Sequence, residues 1–322
     1  MREINIETIS EKDLLNTRIC DLNLSLKSTP LMREINDLYF ELNQRQINFL
    51  PKIWLSDDWF SPDGTAGFAI PFYLTHKRLI QLQKKHIGVA EGVTKSSLMK
   101  LLRHETAHAL DNAFFLRRLK QRQKIFGLTS KPYPKSYIPV LNSKEYVQNL
   151  EDHYAQAHPD EDWAETFAVW LNPKSNWRER YKNWPVIEKL NYLDSIFEEL
   201  KQKPQKSFQT NVINPVFKDT RTLKQYINDQ RIEKRLKRKC LTEKVDKELI
   251  HYIIENKSES KKIINDYTGN RFITNKLVKD LAAMKTNTEK GKRRKVSKVL
   301  VKDSIKNLTQ IYIKEGRHRI VM

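Results

Sequence analysis

Cysteine is nearly absent: the 322 residues contain two, Cys20 and Cys240. Two cysteines build no disulfide framework, and neither belongs to a Cys-x-x-Cys pair, so a disulfide-stapled scaffold is excluded. Long apolar runs are lacking too. No window approaches the roughly eighteen apolar residues of a transmembrane helix. The first thirty residues hold no stretch that could serve as a signal-peptide core. The expectation is a soluble, cytoplasmic protein. There is no internal repeat, no low-complexity tract, no zinc-finger pattern, no aromatic RNA-binding signature and no Gly-x-x-x-x-Gly-Lys-[Ser/Thr] loop. What is present suffices for a real core, with 39% hydrophobic and 10% aromatic residues in a length that suits one large domain or two ordinary ones.

The net charge of +20 is unevenly spread. Residues 1–200 hold 27 basic and 26 acidic side chains, whereas residues 201–322 hold 32 and 13. All six tryptophans lie in the first part. The chain therefore reads as a near-neutral, aromatic-rich module followed by a basic region. The expected divisions are an N-terminal helical segment (1–45), a near-neutral module (46–200), a polar, proline-marked linker (201–215) and a mainly helical basic region (216–322).

Within the module, 47–55 and 64–74 read as strands with a turn at Asp63-Gly64, and Pro71 marks the second as an edge. A long helix should start at Thr94 or Ser96 and continue to about Phe126, stopped by Gly127. A second helix should begin at Pro159 and end at Asn172-Pro173, and a third should run from Pro185 to about Leu200.

Inside the long helix stands His104-Glu105-Thr106-Ala107-His108. Histidines four apart lie one above the other on a helix face, so both imidazoles can reach one zinc ion. Glu105 is turned away by about 100° and sits beside the metal, where a carboxylate can take a proton from zinc-bound water. A third ligand is needed. The extension that would supply a third histidine requires Gly at 111 and His at 114, but the chain has Asp111 and Phe114. Glu161 and Glu165, one turn apart on the next helix, offer the alternative: one completes the site and the other hydrogen-bonds a ligating histidine. His158 is a further alternative ligand. Asp160 and Asp162 read as acids that complement the helix N-terminus.

The segments His104–Asp111 (His-Glu-Thr-Ala-His-Ala-Leu-Asp) and Glu161–Phe167 (Glu-Asp-Trp-Ala-Glu-Thr-Phe) resemble the gluzincin class of zinc peptidases. The pattern is most similar to the bacterial family called "putative zinc-binding metallopeptidase", and more distantly to lethal-factor-like and Pro-Pro endopeptidases. The similarity extends over about residues 45–200. It implies an α+β, zincin-like domain, a small sheet beside an active-site helix, and a peptide or protein substrate. It also implies one Zn2+ ion held by His104, His108 and Glu161, with Glu165 behind a ligating histidine. A tyrosine seven residues before the ligand glutamate, here Tyr154, would donate to the developing oxyanion. Ala109 and Asp111 match the family pattern, and Asp111 is expected to anchor the helix on an arginine or a backbone group. Peptidases of this type bind extended substrate by strand addition, for which Gly67, Phe68, Ala69 and Ile70 form the candidate edge.

The basic region holds two dense runs, 231–239 and 290–298, separated by segments with helical apolar spacing. Nucleic acid or another polyanion is its expected partner. The competing reading of the whole chain is a polyanion-binding protein whose zincin-like module is structural or inactive. Retention of Glu105, which a decayed enzyme usually loses, favours the enzyme.

Overall fold

The structure is a computed structural model that describes residues 4–134, 137, 139–140, 143–201, 203–206, 211–242, 247–269 and 271–283, with 301–302, 304–306, 308–309 and 312 near the C-terminus. Two units emerge, Met1–Pro132 with Lys144–Ile232, and Tyr133–Ser143 with Glu233–Met322. In chain order the first holds α1 (Glu11–Asn16), α2 (Leu31–Gln44), β1 (Lys52–Ser56), β2 (Gly67–Pro71), α3 (Lys77–Ile87), α4 (Lys95–Phe114) and α5 (Lys120–Phe126). These are followed by α6 (Pro159–Leu171), α7 (Trp177–Arg180), α8 (Ile187–Leu200) and the start of α9 (Leu223–Thr242). Among the described residues the protein is thus mostly helical with one small sheet, consistent with the α+β expectation. Among the described residues no helix is long and apolar enough to cross a membrane.

The first unit ends later than the composition shift suggests. Val216, Leu223, Tyr226 and Ile227 are buried in the same core as Leu14, Leu38, Phe68 and Leu102. Backbone bonds from Ile19 N–H to the Arg221 carbonyl (2.9 Å) and from Leu223 N–H to the Thr17 carbonyl (3.0 Å) tie that stretch to the N-terminal segment. Apolar burial, not charge, sets the division, so residues 4–45 and 211–232 are parts of one unit with the module between them. The second unit has its own core. Ile250 and Ile253 of α10 (Lys247–Glu255), Ile264 of α11 (Lys257–Thr268), and Ile273, Leu277 and Leu281 of α12 (Arg271–Ala283) pack with Val301, Ile305, Leu308 and Tyr312. The run 231–239 lies on the helical backbone of α9, and the run 290–298 lies outside the described residues.

β1 and β2 pair in parallel, with Lys52 opposite Gly67 and Ser56 opposite Pro71. Pro62–Thr65 does make the expected turn, with the Thr65 N–H bonded to the Pro62 carbonyl at 3.0 Å. The connection then crosses to the far edge of β2 rather than folding back as a hairpin. There the Phe60 carbonyl accepts from Ala69 N–H at 2.8 Å, and Ser61 Oγ donates to the Gly67 carbonyl at 3.0 Å. Gly67 is required by space: a Cβ there would overlap the Lys52 carbonyl oxygen and stand 3.0 Å from Lys52 Cβ. Gly67→Ala should therefore cost about 1–3 kcal/mol of stability through overpacking, read as a lower urea midpoint with an unchanged slope. A wild-type midpoint would show that the strand pair relaxes around the methyl group.

Thr94 caps α4 in a reciprocal arrangement with Ser97, each side chain accepting from the other's N–H at 3.1 Å. The helix stops earlier than its sequence spacing suggests. Phe115 takes a left-handed conformation (φ 55°) and its N–H caps the Asp111 carbonyl. The chain turns there and restarts as α5, which Gly127 terminates as expected. The reversal is fixed by Asp111, whose carboxylate accepts from the Arg117 N–H and pairs with Arg122 Nη2 at 2.8 Å. Asp111 is thus tied to two arginines, Arg122 through its side chain and Arg117 through its backbone N–H and its Nε at 3.4 Å.

Candidate metal centre

The site forms where α4 and α6 cross. Small residues allow the approach: Ala107 and Ala164 are fully buried, and Trp163 of α6 donates its indole N–H to the Ala107 carbonyl at 3.3 Å. On the other flank of α4, Arg103 pairs bidentately with Glu41 of α2, at 2.7 and 2.6 Å, both side chains buried. Fully buried Arg122 joins Asp111 to Asp160 (3.1 Å) at the start of α6 and lies 4.9 Å from the Trp163 ring centroid. The helices are thus held at a fixed separation by one buried cation and one indole. Asp160 and Asp162 do more than complement the helix N-terminus. Asp160 also accepts from Thr129 Oγ1 at 2.8 Å, and Asp162 pairs with Lys189 at 2.7 Å.

Three donor atoms converge at this crossing. His104 Nε2 lies 3.2 Å from His108 Nε2 and 3.1 Å from Glu161 Oε2, and the third edge, His108 to Glu161, is 3.5 Å. Four ligands placed tetrahedrally at 2.0–2.1 Å from zinc stand about 3.3 Å from one another. The three atoms therefore outline one face of such a tetrahedron, in a donor set of two imidazoles and a carboxylate that suits zinc. Among the described residues this is the one group of three or more His, Cys, Asp or Glu side chains that could hold a metal ion. His104 and Glu161 are almost wholly buried, and His108 is the donor nearest solvent, its side chain 13% exposed.

The electrostatics fit mutual support within the cluster. Burial raises the Glu161 carboxyl, but His108 and His104 outweigh it and hold it far below the usual carboxylate range. Burial likewise disfavours the charged imidazoles, yet Glu161 and Glu165 push His104 well above its ordinary value, and Glu161 is chief among the groups that raise His108. A divalent cation can replace the protons that these histidines would otherwise carry.

Each expected residue has a definite place. Glu165, one turn after Glu161, accepts from His104 Nδ1 at 2.8 Å, so Nε2 is the ring nitrogen directed at the other donors. Glu105 is buried beside the site. Burial pushes its carboxyl upward, and His104 and His108 partly offset that rise. Tyr154 lies in a 3-10 turn, Glu151–Gln156, with its ring centroid 5.7 Å from that of His104. His158 is not brought to the cluster. Its Nδ1 caps α6 by accepting from Asp160 N–H (3.2 Å), and its Nε2 bonds the Lys131 carbonyl (2.8 Å). Gly67–Ile70 are fully buried, and the far edge of that strand already carries the Phe60 and Ser61 bonds.

Sequence reasoning missed Asn149, whose amide donates to Glu165 Oε1, and Leu150, whose N–H donates to Oε2, both at 2.8 Å. No local signal marks a loop asparagine for that task. Arg122, the cation between the helices, reads from sequence as one more polar residue of a basic helix.

Residues 83–228 match the model of a family described as "Putative zinc-binding metallo-peptidase". The matched span begins within α3, after the sheet, and runs into α9, so it takes in every residue of the cluster together with Glu105 and Tyr154. It starts and ends later than the stretch over which the sequence resemblance was expected. No curated protein matches the chain, and no solved structure does.

Proposed function

We propose that the chain is a zinc-dependent peptidase of gluzincin type on a zincin-like domain. The observation that carries this reading is the triangle of His104, His108 and Glu161, whose edges match a tetrahedral face. Zinc held there supplies a Lewis acid that polarises a carbonyl and brings the pKa of water to about 7. The chain's own residues do the rest. Glu105 accepts the proton of the attacking water and returns it to the departing amine. Its burial suits that work, because desolvation raises the carboxyl above its ordinary value and makes it a stronger base. Tyr154 donates to the oxyanion of the tetrahedral intermediate, in a setting where a fixed donor counts for more than in water. Glu165 keeps His104 in the tautomer and orientation that a ligand needs.

An extended peptide is the substrate class, bound through its backbone. The strand expected from sequence, Gly67–Ile70, is not the edge for it, because that strand is buried with β1 on one side and the Phe60–Ser61 segment on the other.

The test is metal removal. Purified protein should cleave an unfolded protein substrate, lose the activity on dialysis against a chelator, and regain it with stoichiometric zinc. Cleavage that survives complete removal of zinc would sink the proposal.

A further inference from the structure

We infer that Asn149 is a positioning residue for this reaction, holding Tyr154 in place through the same carboxylate that orients His104. The inference rests on the peptidase reading. Glu165 is buried and its two oxygens collect three donors: His104 Nδ1 and Asn149 Nδ2 on Oε1, and Leu150 N–H on Oε2, all at 2.8 Å. One side chain therefore fixes both a metal ligand and the pair of residues that leads directly into the Tyr154 turn. The same pair is fastened from the opposite side by Lys100, whose Nζ donates to the Asn149 carbonyl at 2.5 Å.

The placement of these anchors gives the arrangement its meaning. Lys100 stands four residues before His104 on α4, and Glu165 stands four residues after Glu161 on α6. Residues four apart share a helix face. The segment is thus tied to each ligand-bearing helix at a point one turn from its ligand, and Tyr154 follows four to five residues later. The distance from Tyr154 to the donor triangle is set by these ties rather than by the long loop that precedes them. Asn149 is the member that shares an oxygen with His104. Losing its amide leaves Glu165 Oε1 held by His104 alone and frees the segment to shift. The remaining bonds, from Leu150 N–H and from Gln148 N–H to Tyr181 Oη (3.0 Å), keep the chain folded there.

A double-mutant cycle separates this role from a merely structural one, because residues acting through one another lose less together than the product of their separate losses. Two readouts are used on the full zinc-loaded chain: kcat for peptide cleavage, and the affinity of a phosphinic dipeptide, whose oxygens stand in for the tetrahedral intermediate. Asn149→Ala and Tyr154→Phe should each lower both quantities by about tenfold or more, at the lower end of what supporting groups behind a metal site supply. The double variant should be no worse than Tyr154→Phe alone, with KM and zinc content near wild type throughout. Should Asn149→Ala fold poorly, Lys100→Met, which releases the segment without touching Glu165, should give the same non-additive pattern. Wild-type behaviour of a folded Asn149→Ala, or losses that multiply in the double variant, would overturn the inference. A wild-type chain that holds zinc yet cleaves nothing would overturn the peptidase reading instead, and the phosphinate titrations would still decide the coupling.

Discussion

Glu105→Gln should lower peptide cleavage by about 10²–10⁴-fold, the range that a positioned general base supplies, while leaving the zinc content of the protein unchanged. The two halves of this expectation come from different observations. Zinc should stay because the donor triangle is built from His104, His108 and Glu161, and Glu105 is not part of it. Cleavage should fall because glutamine fills the same buried space without accepting a proton. The loss should appear in kcat with little change in KM, since proton transfer belongs to the transition state rather than to substrate binding. A Glu105→Gln protein that cleaves at the wild-type rate would remove Glu105 from the chemistry. One that loses its zinc would mean that Glu105 serves the metal rather than the water.

The second large effect concerns stability. Arg122→Met should destabilise the protein by about 3–5 kcal/mol, the cost of leaving buried charges without their partner. Arg122 is fully buried, as is Asp111, and Asp160 is nearly so. Burial already raises the Asp111 carboxyl, with Arg122 the chief force holding it down. Without that cation the folded state should favour the protonated acid still more strongly. A carboxyl whose folded pKa is raised destabilises the fold once the pH exceeds its unfolded value, so the deficit should be largest near neutral pH. It should shrink as the pH falls through the carboxylate range. Urea denaturation at neutral and mildly acid pH measures both parts. The triple variant Asp111→Asn, Arg122→Met, Asp160→Asn should recover much of the loss, because no buried charge is then stranded. A single variant as stable as wild type would mean that the helix crossing does not depend on this pair of contacts.

The parts of this molecule that were legible from sequence are those whose cause is local. Two histidines one helical turn apart, a capping threonine at position 94, and proline opening α6 each act within a few residues, so their spacing alone determines the outcome. Spacing alone left Glu161 and Glu165 interchangeable, and only the family resemblance told them apart, since which of two carboxylates one turn apart faces the histidines depends on how α6 rotates against α4. What stayed hidden depends on contacts between distant segments. The parallel pairing of β1 and β2 follows from the connection crossing to Phe60, which the Asp63-Gly64 turn does not specify. The early end of α4 at Phe115 follows from Asp111 recruiting Arg117 and Arg122, whereas the sequence offers no glycine or proline to stop a helix before Gly127. Charge misplaced the boundary between the units as well, because residues 211–232 are held by the apolar side chains Val216, Leu223, Tyr226 and Ile227, and composition does not weigh burial.

The central claim is that His104, His108 and Glu161 together hold a single zinc ion. The most direct measurement is the metal content of purified protein by elemental analysis, for the wild type and for the His104→Ala, His108→Ala double variant, with circular dichroism to establish that both are folded. The wild type should carry one zinc per chain and the folded double variant none. A wild type without zinc, or a double variant that retains it in full, would contradict the account.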